Sequence, residues 1–162
     1  MFVISTRNFP PDVGGIQNLM EGLAKALTNH GPVKIFADNF TDCEKYDDRS
    51  ELSIQRVSGF KIFRKYRKAN LVNSFIKDNN IRAVFFDHWK SLENINKDYL
   101  KNIPSFCLIH SKEINHNIGT SLNNRMIKSL SKAKHIIANS NFTKTLAIEC
   151  GISNQNITII HP

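Results

Sequence analysis

Seven short apolar runs alternate with helix-patterned segments from one end of this chain to the other, and that alternation restricts the fold more than any other feature. The runs are 2–6, 33–37, 52–57, 81–86, 104–109, 135–138 and 157–160. Ile81 to Phe86 is continuous enough for a strand buried on both faces, whereas Leu52 to Val57 alternates and reads as an edge strand. Between the first two runs, Ile16, Leu19, Met20, Leu23, Ala24 and Leu27 recur at helical spacing. Residues 39–52 are polar and acidic and read as a long loop. A helix closing with Leu71, Val72, Phe75 and Ile76 on one side precedes the fourth run. Another over 120–132 turns Leu122, Met126, Ile127 and Leu130 inward. Ser140 caps a third, which runs to Cys150 and stops at Gly151. Repeated βα units with near-continuous apolar strands predict a mostly parallel sheet with helices on both faces. The expectation is a single Rossmann-like α/β domain over residues 1–162.

Composition narrows the class. The 162 residues suffice for one sizeable core, and no apolar run approaches the length of a membrane span. The N-terminus has no basic segment leading into a long apolar stretch, so no secretory signal is expected. The three cysteines, Cys43, Cys107 and Cys150, are odd in number and far apart, with Cys107 and Cys150 in apolar surroundings typical of buried thiols. A reducing cytoplasm is the expected compartment. The formal charge of +8 favours anionic partners.

In open α/β sheets, ligands bind outside the carboxyl ends of the strands. The residues that follow the runs are Arg7 and Asn8, then Asp38, then Asp87-His88-Trp89, then His110-Ser111-Lys112-Glu113, then Asn139-Ser140. A Gly14-Gly15 pair sits where the first strand hands over to the first helix. Glycine lets a ligand approach the free backbone N–H groups of a helix start, an arrangement suited to phosphate. A capped βα turn explains the same pair. The fingerprint Gly-x-Gly-x-x-Gly is missing, as are a Walker sequence, HExxH, zinc-spaced Cys and His, and Gly-x-Ser-x-Gly. His110, Glu113 and His116 lie close in sequence, but on a loop their spacing fixes no metal geometry, and no metal is expected.

Three segments together resemble the retaining family 4 glycosyltransferases. They are Phe9-Pro10-Pro11-Asp12-Val13-Gly14-Gly15-Ile16 with the helix up to His30-Gly31, Cys107-Leu108-Ile109-His110, and Ile136-Ile137-Ala138-Asn139-Ser140-Asn141-Phe142-Thr143 running on to His161-Pro162. The resemblance spans the whole chain in order. It implies one half of a GT-B architecture, with a nucleotide-sugar as substrate and no cofactor. It implies that His110 lies near the reacting sugar carbon and that Gly14 and Gly15 face donor phosphates or acceptor. Arg7, His88 and Trp89 would line the acceptor side, with Glu113 and Ser140 among the polar residues on the same edge. The acceptor expected is a sugar, lipid-linked or part of a polysaccharide precursor. The family's C-terminal donor-binding domain is not in this sequence, and the fragment alone is expected to turn over little or nothing. A non-catalytic module binding an anionic ligand at the Gly-Gly turn, or another GT-B enzyme such as a sugar-nucleotide epimerase, are the alternatives.

Lys61, Arg64, Lys65, Arg67 and Lys68 gather at a predicted helix start, where cations oppose the helix dipole. One reading is a solvated face whose aromatic stems pack on the domain. The other is docking to anionic lipid headgroups at the inner face of a membrane, worth about 1 kcal/mol per basic residue. No nucleic-acid motif accompanies the charge.

Overall fold

The structure, a computed structural model, describes residues 1–161. Seven parallel strands form one sheet: β1 (Phe2–Thr6), β2 (Val33–Asp38), β3 (Ser53–Val57), β4 (Ala83–Phe86), β5 (Ser105–Ile109), β6 (His135–Ala138) and β7 (Ile157–Ile159). Their order across the sheet is β3-β2-β1-β4-β5-β6-β7. The chain first winds outward from β1 to β3, then returns to add β4 on the other side of β1. In register, Ile4 lies opposite both Ile35 and Phe85.

The strands' period of two divides the core between the two faces. Val3, Phe36, Val84, Phe86 and Ile136 point to one face. There they meet α3 (Lys61–Asp78), α4 (Trp89–Leu92), α6 (Ser121–Leu130) and α7 (Asn141–Glu149) through Val72, Ile76, Leu92, Met126 and Ala147. Ile4, Ile35 and Ala37 point to the other face, where Met20 and Ala24 of α1 (Gly15–Thr28) pack on them. Both faces are therefore covered, as the strand pattern predicted. The coverage is unequal: α1 lies over the β1–β2 side, and beside it Phe85, Phe106 and Ile137 remain only partly buried.

Three local expectations are corrected. Residues 39–52 hold a short helix, α2 (Cys43–Asp47), rather than loop alone. It is pinned where the Phe40 N–H donates to the buried Cys43 sulfur and where Arg56 pairs with Asp47. Single helical turns, α4 and α5 (Ser111–Ile114), follow β4 and β5 where loops were expected, and a 3-10 turn spans Lys97–Leu100. On α3, Leu71 is 38% exposed while Lys68 and Ala69 face inward.

Lys68 shows why the apolar pattern misled. Its Nζ donates 2.5 Å to the Thr6 carbonyl and 2.7 Å to Asp38 Oδ1. Burial pulls its amine below the usual lysine range, and the Asp38 carboxylate opposes that pull. Removing one partner of a buried ion pair costs about 3–5 kcal/mol. Lys68 thus fastens α3 to the ends of β1 and β2.

Candidate active site at the carboxyl edge

All seven strands are parallel, so every loop that leaves a carboxyl end opens on one edge of the sheet. The strand order reverses between β1 and β4, where a crevice is expected. Asp87, fully buried just after β4, joins the two sides of this point. Its Oδ2 accepts from Thr6 Oγ1 at 2.9 Å and from the Arg7 N–H at 2.8 Å, and its Oδ1 accepts from Ser91 Oγ at 2.6 Å. The first turn of α4 is thereby held against the end of β1.

The neighbouring polar groups build on that anchor. His88 Nδ1 accepts from the Lys90 N–H at 2.9 Å and caps α4. Burial, reinforced by the charges of Arg7 and Lys90, pushes the His88 pKa down to about 2, so its imidazole is neutral near physiological pH. Its Nε2 faces Glu113 Oε1 at 3.3 Å, and with a neutral ring this is a polar contact rather than an ion pair. Burial and then the Asp87 charge push the Glu113 pKa up to about 7. His110 sits at the start of α5, and burial lowers its pKa while Asp87 opposes the shift. Three buried polar atoms here have no partner among the described residues: His110 Nε2, Glu113 Oε2 and His116 Nε2. Leaving such an atom unpaired costs about 1–3 kcal/mol, and a ligand that supplies partners recovers it. Among the described residues no group of three His, Cys, Asp or Glu is arranged to hold a metal ion.

The Gly14-Gly15 turn opens on the same edge. Phe9 is buried below it, and Arg56 donates to the Pro10 carbonyl and lies over the Phe9 ring. Asp12 Oδ2 accepts from Gln17 Nε2 at 2.6 Å, fixing the approach to α1. No side chain caps this helix, so its first N–H groups stay open to an external acceptor. A Cβ built on Gly14 would run into the end of the Gln17 side chain, whereas one on Gly15 would meet nothing within 4 Å. Nothing inside the fold explains why Gly15 lacks a side chain.

The remaining predicted residues divide. Arg7 projects into a cavity on this edge. Trp89 does not line the crevice: it is 1% exposed, and its indole N–H donates to the Glu113 carbonyl at 3.0 Å from within the core. Its role there is to fix α5 from behind. Ser140 Oγ is occupied as the cap of α7, accepting from the Thr143 N–H at 3.1 Å. The basic segment is not one solvated stripe. Arg64 and Lys68 pair with Asp38 and Lys65 with Glu93, which leaves Lys61 and Arg67 exposed. Nor are the aromatic stems packed down, since Phe63 and Tyr66 are 65% and 48% exposed, as are Phe60 and Ile62 beside them at 85% and 70%. Asp87 is the residue that sequence reasoning passed over. Its position after an apolar strand was visible, but its three bonds to groups on other elements were not.

The sequence profile described as Glycosyltransferase Family 4 matches residues 13–162. A comparison with curated protein sequences finds no match. Among solved structures, HepE from Anabaena in complex with UDP is similar over 99% of this chain and 43% of its own, with 12% identity and a TM-score of 0.74. A glycosyltransferase from Rickettsia africae is similar over 99% and 42%, at 20% identity and a TM-score of 0.70. The lipopolysaccharide outer core galactosyltransferase WaaB, in its apo form, is similar over 99% and 45%, at 15% identity and a TM-score of 0.69. The chain therefore spans less than half the length of these proteins, and the likeness to them is one of fold.

The raised pKa of Glu113 has a thermodynamic sign. The folded state holds this proton more tightly than the unfolded chain, so the group's contribution is fully present below pH 4.5 and is lost as pH rises through about 7. Glu113→Gln removes it. The stability of wild type relative to this variant, from thermal unfolding across that window, should fall as pH rises. A difference independent of pH would contradict the assignment.

Proposed function

This chain belongs to glycosyltransferase family 4, and we propose that it forms the acceptor-side wall of a retaining, metal-independent glycosyltransferase using a nucleotide-activated sugar. The observation that carries the reading is Gly15, exposed at the start of α1 where the fold would accept a side chain. The uncapped N–H groups of α1 are suited to donate to the donor's phosphate oxygens or to an acceptor oxygen. The unpartnered Nε2 of His110, on the same edge, would hold a sugar hydroxyl near the reacting carbon. Its lowered pKa keeps the ring neutral, able to orient a hydroxyl without adding positive charge. The facing wall, with most of the donor contacts, would come from a second domain.

The expected test is a comparison of stability with transfer in the full natural protein. Gly15→Ala should leave the melting temperature unchanged or slightly raised, because alanine is the better helix former, while transfer falls at least about ten-fold. His110→Ala should lower transfer by about a hundred-fold or more. If both variants kept wild-type transfer, this site would not be the catalytic one. Release of an epimerised sugar-nucleotide instead of a glycosylated acceptor would favour the epimerase reading.

The start of α3 is proposed as a contact with an anionic lipid surface. Phe60, Ile62 and Phe63 project into solvent beside exposed Lys61 and Arg67, which combines apolar wedges with charge complementary to anionic headgroups. Among the described residues no helix is long and apolar enough to cross a membrane. Co-sedimentation with phosphatidylglycerol vesicles at low salt should fall sharply in the double variant Phe60→Ser, Phe63→Ser. Binding that survives those substitutions would remove the proposal.

A further inference from the structure

A cavity of about 550 Å3 opens on the carboxyl edge between α3, α4 and α6, and seven cationic side chains line it against two carboxylates. The two carboxylates are each shared. Asp38 pairs with Arg64 and Lys68, and Glu93 with Lys65 and Arg125. Arg7, Lys61 and Lys90 have no ion-pair partner among the described residues, and the Lys90 amine lies 5.1 Å from the centre of the Trp89 ring. Arg7 anchors through its backbone N–H alone, which Asp87 accepts, so its guanidinium is free of structural duty. Burial and then the Arg7 charge depress the Lys90 amine, a sign that these cations crowd one another.

Like charges in a concave, partly desolvated recess repel, and the empty domain carries that cost without any structural return. A flat surface does not explain them, since Arg7 and Lys90 are half-buried inside the recess rather than projecting from it. The volume lies within the range of small-ligand sites and exceeds what one inorganic ion fills. The free cations also adjoin the crevice, because Arg7 and Lys90 are the groups whose charges act on both His88 and Glu113.

We propose that this cavity binds a phosphate or diphosphate group on the acceptor, so that the acceptor is an anionic, phosphorylated molecule rather than a neutral glycan end. The proposal rests on the glycosyltransferase reading above for the word acceptor, but not for the anion site itself. Arg7 supplies a fork for two phosphate oxygens, and Lys90 and Lys61 supply point charges. The phosphate could be carried by a soluble sugar phosphate or by a lipid.

Calorimetric titration of the 162-residue chain in phosphate-free buffer tests it, with pyrophosphate as the probe and glucose as the neutral control. Pyrophosphate should bind saturably, and the double variant Arg7→Gln, Lys90→Gln should weaken it about ten-fold or more. Its melting temperature should be unchanged or raised, because repulsion is relieved. Absence of saturable pyrophosphate binding, unchanged affinity in the double variant, or a large drop in its melting temperature would each overturn the site. Phosphatidylglycerol vesicles form the second arm. Vesicle binding that also needs Arg7 and Lys90 assigns the phosphate to a lipid, and vesicle binding independent of them, beside pyrophosphate binding that needs them, assigns it to a soluble molecule. If pyrophosphate binds as expected while the full natural protein transfers no sugar, the glycosyltransferase reading fails and the anion site stands.

Discussion

One carboxylate, that of Asp87, ties this sheet edge together and contributes to its electrostatics. Parallel strands end in loops with no ladder bonds to hold them, and at the β1–β4 reversal those loops would splay apart. Asp87 accepts a hydroxyl and a backbone N–H from the end of β1 and a hydroxyl from α4, which closes the gap from below. Buried carboxylates persist when each lone pair finds a donor, and here three donors come from two elements. The same charge then acts outward. It adds to the rise that burial imposes on Glu113 and resists the fall in basicity that burial imposes on His110.

Around that anchor the excess of basic residues is sorted by depth. Lys68 is drawn inside to join α3 to the strand ends, and Asp38 serves it together with Arg64. Glu93 does the same for Lys65 and Arg125 on the far side of the cavity. Arg7, Lys61 and Lys90 remain without an ion pair at the cavity.

The strands were readable because double coverage demands continuous apolar runs, and all seven appear at their expected places with ends shifted by a residue or two. Capping logic located α7, since Ser140 does bond the Thr143 N–H. The single turns α4 and α5 were not readable, because four residues carry no helical period. Their starts depend on tertiary placement: the cap of α4 is the His88 ring itself. Lys68 looked like a surface cation because its partner, Asp38, lies thirty residues away in sequence. The resemblance puts Trp89 on the acceptor side, and nothing local reveals that its N–H reaches the Glu113 carbonyl. At the Gly-Gly turn, both sequence readings were compatible with the residues. The structure adds that a side chain at Gly14 would meet Gln17 whereas one at Gly15 would meet open space.

If Asp87 sets the charge state of the crevice, the carboxyl carbon of Glu113 will report it directly. In an NMR pH titration of the wild-type chain, that carbon should titrate near 7, well above the ordinary glutamate value of 4.5. In Asp87→Asn, which keeps an acceptor in place but removes the charge, the midpoint should move down. A Glu113 that titrates near 4.5 in wild type, or whose midpoint is the same in both proteins, would contradict the account.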